Sequence, residues 1–158
     1  VSKGLEVEVT YIPSDRLELG TSFTYNEAKL ESVLEGVALT PGSTLPGTPE
    51  FSMSNYLQYA MEDLPEDMSG YFRLSHRHVG KMVSSIDNAD ALNSDSYNIF
   101  GLRAGLLMGN YEVALYVDNL LDNDAITSRY DLDFDSWTTF RAFRLKPRTF
   151  GLNFRVDF

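Results

Sequence analysis

Apolar and polar residues alternate along most of this chain. Over its last nine positions Phe150, Leu152, Phe154, Val156 and Phe158 fall on one side of an extended ribbon, and Gly151, Asn153, Arg155 and Asp157 on the other. Successive side chains of a strand point to opposite faces, so this is a strand with one greasy and one polar face. The same period of two predicts six earlier strands. The first, about 4–12, sets Leu5, Val7, Val9 and Tyr11 against Glu6, Glu8 and Thr10; the second, about 16–28, sets Leu17, Leu19, Thr21, Phe23 and Tyr25 against Glu18, Gly20, Ser22, Thr24 and Asn26. The third, about 51–61, opposes Phe51, Met53, Leu57, Tyr59 and Met61 to Ser52, Ser54, Tyr56 and Gln58; the fourth, about 70–82, opposes Phe72 and Leu74 to Arg73, Ser75 and Arg77. The fifth, about 96–108, carries Phe100, Leu102, Ala104 and Leu106 opposite Gly101, Arg103 and Gly105; the sixth, about 111–120, carries Tyr111, Val113, Leu115 and Val117 opposite Glu112, Ala114, Tyr116 and Asp118.

The connections alternate in length. Short turns are expected at 13–15, 62–69 and 109–110, and long loops at about 30–50, 84–95 and 122–145. Pro13 lacks the donor that a ladder needs, and Gly109-Asn110 tolerates the positive φ of a tight hairpin. The fold class is therefore all-β: an antiparallel up-and-down meander of about seven strands with one plain rim and one elaborated rim, the layout of outer-membrane barrels. Glu6, Glu8, Glu18, Arg73, Arg77, Arg103, Glu112, Asp118, Arg155 and Asp157 lie on the polar faces. In a dry core each would cost several kcal/mol unless paired. A wet lumen removes that cost, and so does the solvated face of a soluble sandwich. The apolar terminal ribbon favours lipid, since soluble termini tend to fray. Seven strands are an odd number, whereas single-chain bacterial barrels are even. The first strand is thus expected to pair with a strand outside this sequence, as in the C-terminal part of a larger barrel.

Composition adds limits. One domain is expected for 158 residues, and the apolar share is 43%. No run approaches the roughly 18 apolar residues of a membrane-spanning helix, which leaves a membrane barrel open. Aromatics make up 13%, Cys is absent, and the net charge is −10. The absence of Cys rules out disulfides and thiolate sites; the acidic balance argues against nucleic acid as a partner. The chain opens on Val1-Ser2-Lys3-Gly4, with no signal peptide and no initiator Met, which suggests a processed chain or a fragment.

Candidate chemistry is sparse. Asp131-Leu132-Asp133-Phe134-Asp135 invites a calcium reading, but Ser136 and Ala142 stand where an EF-hand loop needs Gly and Glu, so a solvated acidic loop is expected. His76 and His78 share a strand face. With no carboxylate or thiolate beside them they read as amphipathic rim residues rather than a metal site or base. Trp137, Phe140, Arg141, Phe143 and Arg144 lie in the longest loop, where aromatic and Arg side chains are typical ligand anchors; packing on neighbouring loops or on lipopolysaccharide is the alternative. Asn119 and Asp122 are expected to cap the rim. No phosphate loop, nucleophile elbow or Ser-His-acid set is present, so no enzyme activity, cofactor or resident metal is expected.

Several segments, in order along the chain, resemble the C-terminal barrel region of TonB-dependent outer-membrane receptors. Ser2-Lys3-Gly4-Leu5-Glu6-Val7-Glu8 with Pro13-Ser14-Asp15-Arg16-Leu17 looks like that family's strand–turn–strand unit, and Leu45-Pro46-Gly47-Thr48-Pro49 like the lead into a following strand. Val117-Asp118-Asn119-Leu120-Leu121-Asp122 is similar to the end of its penultimate strand, where Leu121 is more often Phe. Pro147-Arg148-Thr149-Phe150-Gly151-Leu152 and Phe158 look like its closing strand. The resemblance implies that residues 1–158 are the C-terminal segment of a large barrel of about 22 strands with a plugged lumen, the plug domain and N-terminal strands being absent. It implies energised uptake of a scarce, bulky solute such as a ferric siderophore, haem, a cobalamin or an oligosaccharide. It implies as partners outer-membrane lipid, lipopolysaccharide, the barrel-assembly machinery and, through the missing N-terminal region, TonB. It further implies that Phe150, Leu152, Phe154, Val156 and Phe158 form the assembly signal and that the long loops face outward. A small structural or adhesive outer-membrane barrel and a soluble β-sandwich binding module are the alternatives.

Overall fold

A run of alternating residues becomes a stable strand only when neighbouring strands satisfy its backbone groups. The computed structural model describes residues 1–33, 35, 40–65, 68–84, 93–134 and 137–158. Its strands are β1 Ser2–Ser14, β2 Leu17–Ala28, β3 Phe51–Met61, β4 Met68–Val79, β5 Tyr97–Met108, β6 Tyr111–Asp118, β7 Ile126–Phe134, β8 Trp137–Arg144 and β9 Thr149–Val156. Seven of them form one antiparallel sheet in the order β1-β2-β3-β4-β5-β6-β9, the meander expected from the sequence; β7 and β8 form a separate hairpin. Within the sheet each strand pairs with the next in sequence, except that β6 pairs with β9 across the β7–β8 hairpin. No helix is present among the described residues.

Two expectations need correction. The connection read as a loop at 122–145 contains the β7–β8 hairpin. Its alternation was hidden because Asp131 and Asp133 read as loop residues, although they take every second position of β7. β1 also runs past Pro13: the register shifts between Tyr11 and Ser14, and this bulge accommodates a residue with no backbone donor. The turn shrinks to Asp15-Arg16. Arg16 Nη2 donates to Asp63 Oδ1 at 2.9 Å, tying this turn to the β3–β4 connection. That hydrogen bond holds the Asp63 carboxyl below the ordinary carboxylate range. The tie is therefore intact at neutral pH and is released only as acid protonates Asp63.

The register carries apolar rows across the sheet. Leu19, Leu57, Leu74, Leu102, Val117 and Phe150 stand opposite one another, strand to strand. This face has no covering layer among the described residues: Leu115 is 64%, Leu152 66% and Phe150 71% exposed, and the buried apolar residues are only Ala28, Val79 and Ala114. A soluble sandwich would lay a second sheet here, because burial is worth roughly 25 cal/mol per Å². Tyr11, Tyr59 and Tyr111 lie towards the short-turn rim and Tyr25 and Phe51 towards the loop rim. Aromatics at both edges of an apolar band are the girdles of a membrane barrel.

Candidate functional site: the polar wall and the outer hairpin

The other face is a hydrogen-bonded polar wall. Tyr56 donates its hydroxyl to Glu18, and the Arg73 guanidinium lies 4.0 Å from the Tyr56 ring centre while donating to Gln58 Oε1 at 2.8 Å. A second cluster repeats the pattern. Arg103 Nε donates to the Tyr71 hydroxyl at 2.6 Å, that hydroxyl donates to Glu112 Oε1 at 2.7 Å, and Arg103 Nη2 reaches the same carboxylate at 3.1 Å. Arg155 pairs with Asp157 at 2.9 Å. A cleft of about 400 Å³ opens on this wall, lined among others by Glu8, Tyr56, Arg73, Arg77 and Asp118. Of the residues expected on a wet face, Arg103 pairs with Glu112 and Arg155 with Asp157, while Glu18 and Arg73 are held by the neutral partners Tyr56 and Gln58.

Sequence reasoning missed what makes these clusters fit. Gly20 stands directly opposite Tyr56, Gly105 opposite Tyr71 and Gly151 opposite Tyr116. A Cβ at Gly20 would lie 2.0 Å from Tyr56 Cε1, at Gly105 2.4 Å from Tyr71 Cε1, and at Gly151 2.2 Å from Tyr116 Cζ. Each tyrosine thus lies flat over a bare stretch of backbone, covering a glycine that otherwise weakens a strand. The signal was the recurrence of Gly and Tyr on the polar face, but only the register pairs them.

At the loop rim, Asn119 is 4% exposed and has φ +52°. Its Nδ2 donates to the carbonyls of Asn123 at 2.8 Å and Lys146 at 2.9 Å, and its Oδ1 accepts from Asn123 N at 3.0 Å. Asp122, at φ +54°, accepts from Arg148 N at 2.8 Å. These two residues fasten the end of β6 to the approach to β9, the capping role expected of them.

The β7–β8 hairpin is latched to the segment before β5. Ile126 N donates to Asp95 Oδ2 at 2.9 Å, Asp95 N to Ile126 O at 2.8 Å, Arg129 Nη2 to Asp95 Oδ1 at 3.3 Å, and Arg129 Nη1 to Asn93 O at 2.8 Å. Of the expected ligand-gripping residues, Arg144 is held by Asp124 at 3.0 Å, Arg141 is exposed opposite Tyr130, and Phe143 packs near Tyr130 at 5.8 Å between ring centres. Trp137 pairs with Phe134 and Phe140 with Asp131 along the hairpin backbone; the side chains of Trp137 and Phe140 lie outside the described residues. Asp131 and Asp133 are on β7, an extended strand rather than a calcium loop, and Asp135 lies outside the described residues. Asp95→Ala deletes the side-chain half of the latch, worth about 1–3 kcal/mol. The hairpin of the full-length protein is then cleaved roughly tenfold or more faster by added protease, while the strands stay resistant. Unchanged cleavage would show that the hairpin is held by something else.

The family model described as TonB dependent receptor-like, beta-barrel, matches residues 1–120. The chain is 28% identical over 152 residues to the ferrioxamine receptor of Yersinia enterocolitica, an alignment covering 89% of this chain and 19% of the relative. In structure it is similar to the ferric yersiniabactin uptake receptor FyuA from Yersinia pestis, with TM-score 0.79 and 21% identity over 99% of this chain and 23% of that one. The chain therefore spans about a fifth of the length of the curated relative it matches.

Proposed function

Since this chain belongs to the TonB-dependent receptor β-barrel family, we propose that it supplies part of the barrel wall and outer loops of an outer-membrane receptor that takes up a scarce, bulky solute. Its relatives are receptors, not enzymes. A ferric siderophore is the favoured solute, because both named relatives carry siderophore names. The observation that carries the reading is the two-sided sheet: one apolar face without cover among the described residues and one wall of hydrogen-bonded polar and charged side chains, with elaborated connections at one rim. Lipid and lipopolysaccharide would meet the first face, and a plugged, wet lumen the second. The free edge of β1 would pair with a further strand of the barrel. TonB would act through a region other than residues 1–158.

The test is growth of a cell whose only route for an iron chelate is the full-length receptor. Ferrioxamine-type and yersiniabactin-type chelates would be supplied in turn under iron starvation. Growth that needs both this gene and TonB is expected with one of them. Growth with neither, or a receptor recovered in the soluble fraction, would overturn the reading.

The apolar side of β9 also fits the proposed assembly signal, since Phe150, Leu152 and Phe154 are exposed and Val156 is half-buried at the sheet edge. Phe158→Ala is expected to cut the amount of folded, heat-modifiable receptor in the membrane about tenfold, corresponding to roughly 1.4 kcal/mol. Wild-type levels would remove Phe158 from any such signal.

A further inference from the structure

One string of polar side chains crosses the otherwise apolar face. Thr21, Asn55 and His76 stand opposite one another on β2, β3 and β4, and His78 stands opposite Asn98 of β5. The Thr21 hydroxyl donates to Asn55 Oδ1 at 2.7 Å, and Asn55 Nδ2 meets His76 Nδ1 at 3.0 Å. His76 Nδ1 is then an acceptor, so the proton of the neutral ring sits on Nε2. Nε2 points at Asn98 Oδ1 at 2.9 Å, and His78 Nδ1 points at the same oxygen at 3.0 Å. Two imidazole nitrogens from one strand thus converge on one amide oxygen of the next. Rings hold both imidazoles in place: Phe100 stacks on His76 at 4.6 Å and Phe51 lies 5.8 Å from His78.

We propose that His76, His78 and the side-chain oxygen of Asn98 bind a divalent transition metal of the zinc and copper class. Imidazole suits these ions, and a neutral amide oxygen completes three donors without adding charge. Among the described residues no group of three His, Cys, Asp or Glu side chains gathers; the third donor of this set is an amide oxygen. Loading shifts the His76 proton from Nε2 to Nδ1 and the His78 proton from Nδ1 to Nε2, which frees the lone pair that faces Asn98 on each ring for the metal. The Asn55 amide then turns over: its oxygen accepts from His76 Nδ1–H, and its Nδ2 donates to Thr21. The metal-bound imidazole keeps a hydrogen-bonded neighbour, as such ligands almost always do. The site is also at a suitable height. His76 and His78 are the ninth and eleventh residues of the twelve in β4, and a barrel strand crosses the bilayer in about 9–11. The pair therefore sits at the outer boundary of the apolar band, where water completes the coordination. Only this placement in height rests on the receptor reading.

The experiment uses the full-length receptor in detergent, stripped with a chelator and titrated with Cu²⁺ alone. Electron paramagnetic resonance is expected to show a site with two nitrogen donors. The double variant His76→Gln/His78→Gln should lose that signal while remaining folded by heat-modifiability. Asn55→Ala should keep the two-nitrogen signal but weaken binding roughly tenfold or more. Equal affinity and an equal nitrogen pattern in the wild type and the double variant would overturn the site, as would no two-nitrogen species at micromolar Cu²⁺. Chelate uptake by the double variant is measured alongside; uptake at the wild-type rate leaves the transport reading standing whichever way the metal titration falls.

Discussion

Gly105→Ala destabilises the full-length receptor by about 3–5 kcal/mol, enough to deplete its folded form in the membrane. The added Cβ would sit 2.4 Å from Tyr71 Cε1 and 2.6 Å from Cζ, distances that require the ring to move. The ring is not free to move, because its hydroxyl is bonded to both Arg103 at 2.6 Å and Glu112 at 2.7 Å. Overpacking costs about 1–3 kcal/mol, and a displaced charge-assisted hydrogen bond costs a further 1.5–3 kcal/mol or so. A double-mutant cycle separates the two contributions. Tyr71→Ala removes the obstacle, so Gly105→Ala in that background should cost less than about 1 kcal/mol, the rest appearing as coupling. Unfolding in urea, followed by heat-modifiability, measures each corner. Equal midpoints for wild type and Gly105→Ala would show that the tyrosine yields, and the flat-ring account would be wrong. The same sign is expected at Gly20 beneath Tyr56 and at Gly151 beneath Tyr116.

The second large effect is expected at Asn119. Asn119→Ala removes one acceptor and two donor contacts from a buried position, and it places a Cβ residue without a local hydrogen-bonding group at φ +52°. The left-handed conformation costs alanine about 1–2 kcal/mol, and each orphaned buried partner about 1–3 kcal/mol. A total of roughly 4–6 kcal/mol is expected, expressed locally as loosening of the β6–β9 junction. Asn119→Gly recovers the conformational part alone. Asn119→Asp keeps the acceptor for Asn123 N and the tolerance of positive φ but loses both Nδ2 donations. Alanine should therefore be the worst of the three. Hydrogen exchange over residues 119–148 reads this directly: protection falls most in the alanine variant. Exchange unchanged by any of them would mean that the junction is held by Asp122 and Arg148 without Asn119.

These two sites differ in how visible they were beforehand. Asn119 and Asp122 stood out within a short motif, and their capping role is a local matter of one turn and its own backbone. The glycines were visible only as small residues on a polar face. Nothing local distinguishes Gly105, which lies beneath the Tyr71 ring, from a glycine that merely fills a strand. The β7–β8 hairpin was missed for a related reason. Its acidic residues read as loop, and its placement is supported by Asp95 and Asn93, which lie about thirty residues upstream. Of the candidate grip in that hairpin, the sequence placed the residues in the right segment, but Arg144 proves to be engaged by Asp124.

By itself the sequence determined what depends on neighbours a few residues apart. Period-two alternation set which residues share a face, turn chemistry set where the chain reverses, and alternating connection lengths set the meander and its two unlike rims. Tertiary structure alone decided which residues of different strands meet. Register brings Tyr71 over Gly105, closes Arg103 on Glu112, and points His76 and His78 at one oxygen of Asn98. A slip of one residue would send every one of those side chains to the opposite face. That choice is made by the whole row of cross-strand contacts and not by any segment of the chain read alone.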